Sequence, residues 1–82
     1  MGEAREWFEK ALKVANELGL NWLIAQARYG LARVYHAEGR ADLALPLAQE
    51  ALKIYERLQH RDLAAGRELV DRLTFALNKE QN

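Results

Sequence analysis

An all-α chain of four antiparallel helices, stacked as an α–α superhelix, is what this sequence predicts, on three observations. Apolar residues recur at three- and four-residue spacing in four separate stretches. Short glycine-bearing or polar breaks separate those stretches. The chain also repeats itself: Ala11-Leu12-Lys13 returns as Ala51-Leu52-Lys53, an offset of 40 residues.

The first stretch, residues 3–18, carries Ala4, Trp7, Phe8, Ala11, Leu12, Ala15 and Leu18 on one side. Gly19 supplies its stop, because glycine enters the left-handed conformation with no Cβ clash. Asn21 is the expected N-cap of the second helix, with Leu23, Ala27, Leu31, Val34 and Tyr35 as its apolar face and Gly39 as its stop. The third helix begins near Asp42 and is expected to bury Leu43, Leu47, Ala48, Ala51, Leu52, Tyr55 and Leu58. Pro46 near its start removes a bond to the carbonyl of Asp42 and should bend the first turns. Gln59-His60-Arg61 forms a polar break. Asp62 suits the positive end of a fourth helix over residues 62–79. Connections this short make neighbouring helices antiparallel.

The 40-residue offset also aligns Leu18 with Leu58, Leu23 with Leu63, Ala25 with Ala65, and Tyr35 with Phe75. Two helices per unit at a fixed period are the mark of an α-solenoid, which grows by stacking. Residues 1–82 then form one domain. Residues 22–58 are one full unit, residues 3–18 the second helix of a preceding unit, and residues 62–79 the first helix of a following unit or a cap. Half-units at both ends fit a piece of a longer array.

From Ala25 to about Glu56 the sequence resembles a tetratricopeptide repeat. Leu31-Ala32 stands for that family's Leu-Gly/Ala pair, Tyr35 for its aromatic and Gly39 for its turn glycine. Ala44 stands for the alanine of the close helix crossing, and Ala51-Leu52 for the Ala-Leu pair of the second helix. The logic is physical, since backbones that meet closely need small residues there and bulky ones on either side. The period departs from the family's usual length of about 34 residues. Glu56 replaces the proline that ends the family's second helix.

Composition narrows the function classes. Lys+Arg and Asp+Glu both number 12, so the net charge is zero. That argues against a phosphate-backbone grip and against an electrostatic membrane anchor, so neither nucleic acid nor membrane is an expected partner. Cysteine is absent, which leaves no disulfide and suits a reducing, cytoplasmic setting. The charged start from Met1 to Glu6 has no apolar run like that of a signal peptide. Serine is absent too, Thr74 is the one threonine, and no glycine-rich phosphate loop occurs. His36 and His60 have no carboxylate at a ligand spacing. The expectation is a non-enzyme with no cofactor and no metal.

What remains is binding, and here the resemblance supplies the surface. The family's first helices line a concave face, and the matching positions here are Gln26, Tyr29, Arg33, His36 and Ala37. Independently of the family, these residues share one helical stripe, and tyrosine with arginine is a frequent pairing where binding energy concentrates. The implied function is a protein–protein interaction scaffold holding a peptide or helix. The lysine and asparagine pattern of the family's carboxylate clamps is missing, with Tyr29 and Arg33 in its places. Two other readings stand beside it: an effector-sensing segment of a bacterial transcription regulator or signalling ATPase, and a self-association module.

The fourth helix breaks the repeat. Shifting the second helix by 40 puts Arg67, Asp71 and Arg72 at core positions and Leu69 and Leu73 on the concave stripe. Unpaired charges in a core cost several kcal/mol. Either this helix rotates to turn its leucines inward, or the leucines face outward and need a lid. The expectation drawn from this conflict is a homodimer or helix exchange with Leu69 and Leu73 at the contact.

Overall fold

The computed structural model describes residues 2–81. Four helices follow in order: α1 (Gly2–Leu18), α2 (Asn21–Ala37), α3 (Ala41–Leu58) and α4 (Leu63–Gln81). There is no strand among the described residues. α1 packs on α2, α2 on α3 and α3 on α4, while α2 and α4 meet only narrowly. The principal extents are 42 × 30 × 15 Å. The shortest is little more than one helix diameter of about 10–12 Å, so every helix keeps a face in solvent.

Three turns of one design separate the helices. Gly19, Gly39 and Gln59 all have positive φ, at 68°, 78° and 51°. In each turn the next amide reaches back to the helix. Leu20 N–H donates to the Ala15 carbonyl at 3.0 Å, Arg40 to Tyr35 at 2.8 Å and His60 to Tyr55 at 2.9 Å. The residue at positive φ itself donates to Asn16, His36 or Glu56. These paired bonds satisfy the carbonyls that a helix end leaves open. Glycine fills the strained position twice and glutamine once, so the third stop carries the cost of a Cβ in the left-handed region. Gln59→Gly is expected to raise stability by about 0.5–1 kcal/mol, read as a higher urea midpoint with unchanged slope.

The helix starts differ from expectation in detail. Asn21 is the first helical residue of α2, not its cap. Leu20 occupies the cap position and makes no side-chain bond. Its carbonyl accepts the amides of Leu23 and Ile24 at 3.1 and 2.9 Å. At the start of α3 the Arg40 guanidinium donates to both carboxylate oxygens of Asp42, at 3.1 and 3.0 Å. That bond holds the Asp42 carboxyl below the usual carboxylate range and raises Arg40. α3 is helical through Pro46 from Ala41 to Leu58. Asp62 lies just ahead of α4, and its carbonyl accepts the Gly66 amide at 2.9 Å.

The core is built on alanine. One cluster joins Ala32 of α2 and Ala41, Ala44 and Ala48 of α3 to Leu69 and Leu73 of α4. A second joins Ala25 and Ala51 to Tyr55. Alanines let the α2 and α3 backbones approach, and leucines from α4 enter the space they leave. α4 has therefore rotated. Leu69 is 7% exposed and Leu73 fully buried, while Arg67, Asp71 and Arg72 stand in solvent. This corrects the expected contact between copies. Leu69 and Leu73 belong to the chain's own core, so two intact surfaces cannot meet through them, and only exchange of α4 itself could use them.

Four further large residues of the expected apolar faces lie at the surface. Leu43 and Leu58, near the two ends of α3, are 42% and 45% exposed, and Trp7 and Leu18 of α1 are 62% and 65% exposed. α1 has a neighbour on one side only, so just part of its apolar surface is covered. Phe8 turns inward, and its ring occupies the space where a Cβ on Gly30 would stand.

Candidate functional site

The stripe expected on α2 opens into a hollow between α2 and α4. Tyr29, Arg33, His36 and Ala37 line it from α2, and Ala65, Glu68, Leu69 and Arg72 face them from α4. The hollow measures ≈ 470 Å³, within the size range of ligand clefts, but it is open along one side. Gln26 does not share it. It lines the adjoining hollow toward α1, with Trp7, Phe8 and Leu23, and Tyr29 and Arg33 border both spaces.

The α4 half of the hollow follows from the rotation. Gly66, Leu69 and Leu73 of α4 are buried at the places that Ile24, Ala27 and Leu31 hold on α2, an offset of 42 residues, two more than the repeat. Relative to the 40-residue shift the helix is thus turned by two residues, roughly 200°, and Ala65, Glu68 and Arg72 come to face α2. That turn replaces an apolar wall with a polar one. A signal was present in the sequence, since only this rotation keeps the charges of α4 out of the core.

Tyr29 is anchored from behind. Its ring meets Tyr55 edge-on, with centroids 6.3 Å apart. Tyr55 is 1% exposed and stacks at 4.9 Å on His60. Burial pushes the Tyr55 phenol up to about 12, and the nearby Asp62 carboxylate adds to the shift. Nδ1 of His60 accepts the Asp62 backbone amide at 3.1 Å, closing the turn before α4. The wall beneath Tyr29 is therefore a fixed aromatic column, which limits the freedom its ring would lose on binding.

The charges in the hollow are unevenly satisfied. Arg72 pairs with Glu68 one turn away on α4. Arg28, also on α2, points elsewhere and meets Glu50 at 3.7 Å. Arg33 is exposed and has no ion-pair or hydrogen-bond partner among the described residues. No group of three or more potential metal ligands occurs among the described residues. Nor is any described helix long and apolar enough to cross a membrane.

Antiparallel helices stacked by alanine crossings, with an open hollow along one side, define a helical-repeat protein. The family model for the tetratricopeptide repeat matches residues 1–57. That is more than half of the 82 residues, and the chain belongs to this family. Neither a curated protein nor a solved structure gives a match to the sequence. Membership in the family makes the chain a protein-interaction module.

Proposed function

We propose that the hollow between α2 and α4 is the concave binding face of this module and holds an acidic, aromatic-bearing peptide or helix. The observation that carries the reading is the convergence of Tyr29, Arg33 and His36 on one hollow, with the Arg33 guanidinium unpaired among the described residues. A guanidinium presents a rigid fork of donors that matches a carboxylate. The Tyr29 ring beside it offers a large face that is already ordered. Arg33 and Arg72 outweigh Glu68 by one positive charge, so the hollow is locally basic although the chain is neutral. A charge this small is screened beyond a Debye length of about 8 Å at physiological salt. Selectivity therefore comes from contact inside the hollow and not from long-range steering.

A displayed random-peptide library selected against the full chain tests this. The expected result is enrichment of acidic peptides with an aromatic residue. Their affinity should fall at least tenfold, or ~1.4 kcal/mol, in the Tyr29→Ala, Arg33→Ala double variant. Arg33 is exposed, whereas Tyr29 is half-buried against both core clusters. Circular dichroism therefore first checks that the double variant is folded. Arg33→Ala alone, which touches no core, should still lower the affinity. Peptides that bind the folded double variant as tightly as the wild type would refute the reading.

A further inference from the structure

The hollow lies inside the stack, between α2 and α4, with α3 packed on both. Its walls are therefore fixed by helices that are in contact within the chain. Three charged side chains line it: Arg33 from α2, and Glu68 and Arg72 from α4. His36 and the Tyr29 phenol are the other titratable groups of the lining. Beyond Arg72, Asp71 and Lys79 line the adjoining hollow with Phe75, and their charges offset each other.

The two guanidinium groups are not equivalent. Arg72 donates to the Glu68 carboxylate one turn earlier on α4, which draws it back along its own helix. Arg33 has no such partner among the described residues. The hollow thus already holds one carboxylate, supplied by the chain itself, and keeps one fork of donors open.

We propose, taking the hollow as the peptide-binding face, that Glu68 is its specificity-determining residue. It admits a ligand carboxylate, the side chain of an aspartate or glutamate, and rejects a phosphorylated side chain at the same place. A carboxylate carries one negative charge and two oxygens, which a single guanidinium can engage bidentately. Arg33, Arg72 and Glu68 sum to one positive charge, so a bound carboxylate brings the hollow to neutrality. A phosphate carries about −1.5 to −2 charges at neutral pH and three acceptor oxygens. It leaves the hollow negative, and it needs the second guanidinium that Glu68 occupies.

Breaking the pair is the smaller obstacle. The Arg72 and Glu68 side chains are 66% and 62% exposed, and ion pairs in solvent are weak. The charge of Glu68 is the larger one, because it stays on the same wall after Arg72 has let go. Side chains one helical turn apart are separated by about 5–6 Å at Cβ, inside the Debye length of about 8 Å at physiological salt. A phosphate drawn to Arg72 is therefore held within range of a like charge, the arrangement by which a site turns away a close analogue of its ligand.

A peptide from the displayed library whose binding is lost in Arg33→Ala provides the test. Its acidic residue most sensitive to replacement by glutamine is made as glutamate in one synthetic peptide and as phosphoserine in another. Both are titrated by fluorescence anisotropy near neutral pH against the wild type, Glu68→Gln and Glu68→Asp. The wild type should bind the glutamate form roughly tenfold or more tighter than the phosphoserine form. In Glu68→Gln the like charge is gone and Arg72 is free, so the phosphoserine form should gain roughly tenfold and the glutamate form less than about threefold. Glu68→Asp keeps the charge and should keep the preference. Glu68 is exposed and glutamine is nearly as good a helix former as glutamate, so circular dichroism should show the fold unchanged. A wild type that binds the phosphoserine form as tightly as the glutamate form overturns the role of Glu68. So does a preference that Glu68→Gln leaves intact, and in both cases the dependence on Arg33 still places the peptide in the hollow. If no acidic peptide depends on Arg33, the hollow is not the binding face, and the role of Glu68 falls with it.

Discussion

Leu73→Ala is expected to destabilise the chain by about 2–5 kcal/mol. Leu73 is, with Tyr55, one of the two largest fully buried side chains. Its neighbours in the cluster are Ala32, Ala41, Ala44, Ala48 and Leu69. Four of those five are alanines, whose methyl groups cannot swing into a void, so only the partly buried side chains packed around the cluster, such as Leu45, Leu47 and Leu77, can fill part of the space left by the missing isobutyl group. Collapse by a shift of α4 is resisted by Gly66, where an added Cβ would lie 3.4 Å from both Leu52 and Tyr55. Small domains are stable by only about 5–15 kcal/mol, so the variant should melt ~10 °C or more below the wild type. Concentration separates two roles for this leucine. A residue of the chain's own core loses the same stability at every protein concentration. A residue whose burial depended on exchange of α4 between copies would show a melting point that climbs with concentration in the wild type and less so in the variant.

How far the sequence could be read depended on which physical rule each residue obeyed. Gly19 and Gly39 announced their turns because positive φ favours glycine. Gln59 makes the same turn with the same bonds, and nothing in a glutamine signals that. The crossing of α2 and α3 was legible in Ala44 and Ala51, since a close approach requires small residues wherever it occurs. The orientation of α4 was not legible from repeat arithmetic. The break before α4 covers residues 59–62 and the break before α2 only residues 19–20, so the offset that aligns α1 with α3 does not carry over to α4. Charge supplied what the repeat could not, because Arg67, Asp71 and Arg72 admit only a rotation that leaves them wet. The site divides in the same way. Its α2 half was read from one stripe, whereas Ala65, Glu68 and Arg72 entered only with the turn of α4. Trp7 shows the opposite failure: a stripe of apolar residues marks a face to be covered, but it does not say by what.

Ala44→Leu is expected to cost about 1–3 kcal/mol by overpacking, although leucine is nearly as good a helix former as alanine. Ala44 is fully buried on the first turns of α3 and belongs to the cluster that joins α2, α3 and α4. Three added heavy atoms there must displace something. Ala32 and Ala48 present methyl groups close to their backbones and cannot retreat without moving a helix. Leu73 has no solvent-facing side to turn toward. The strain therefore falls on the α2–α3 crossing, which is the most extensive packing in the chain. Ala64 is the control. It lies exposed on α4, so Ala64→Leu makes the same chemical change without a neighbour to displace and should alter stability by less than ~0.5 kcal/mol. Urea unfolding of the two variants side by side measures the difference directly. An Ala44→Leu midpoint equal to that of Ala64→Leu would mean that α2 and α3 do not cross at Ala44, and the tetratricopeptide register of α3 would have to be redrawn. A loss confined to Ala44→Leu and accompanied by faster hydrogen exchange in both α2 and α4 would locate the strain where three helices share one small residue.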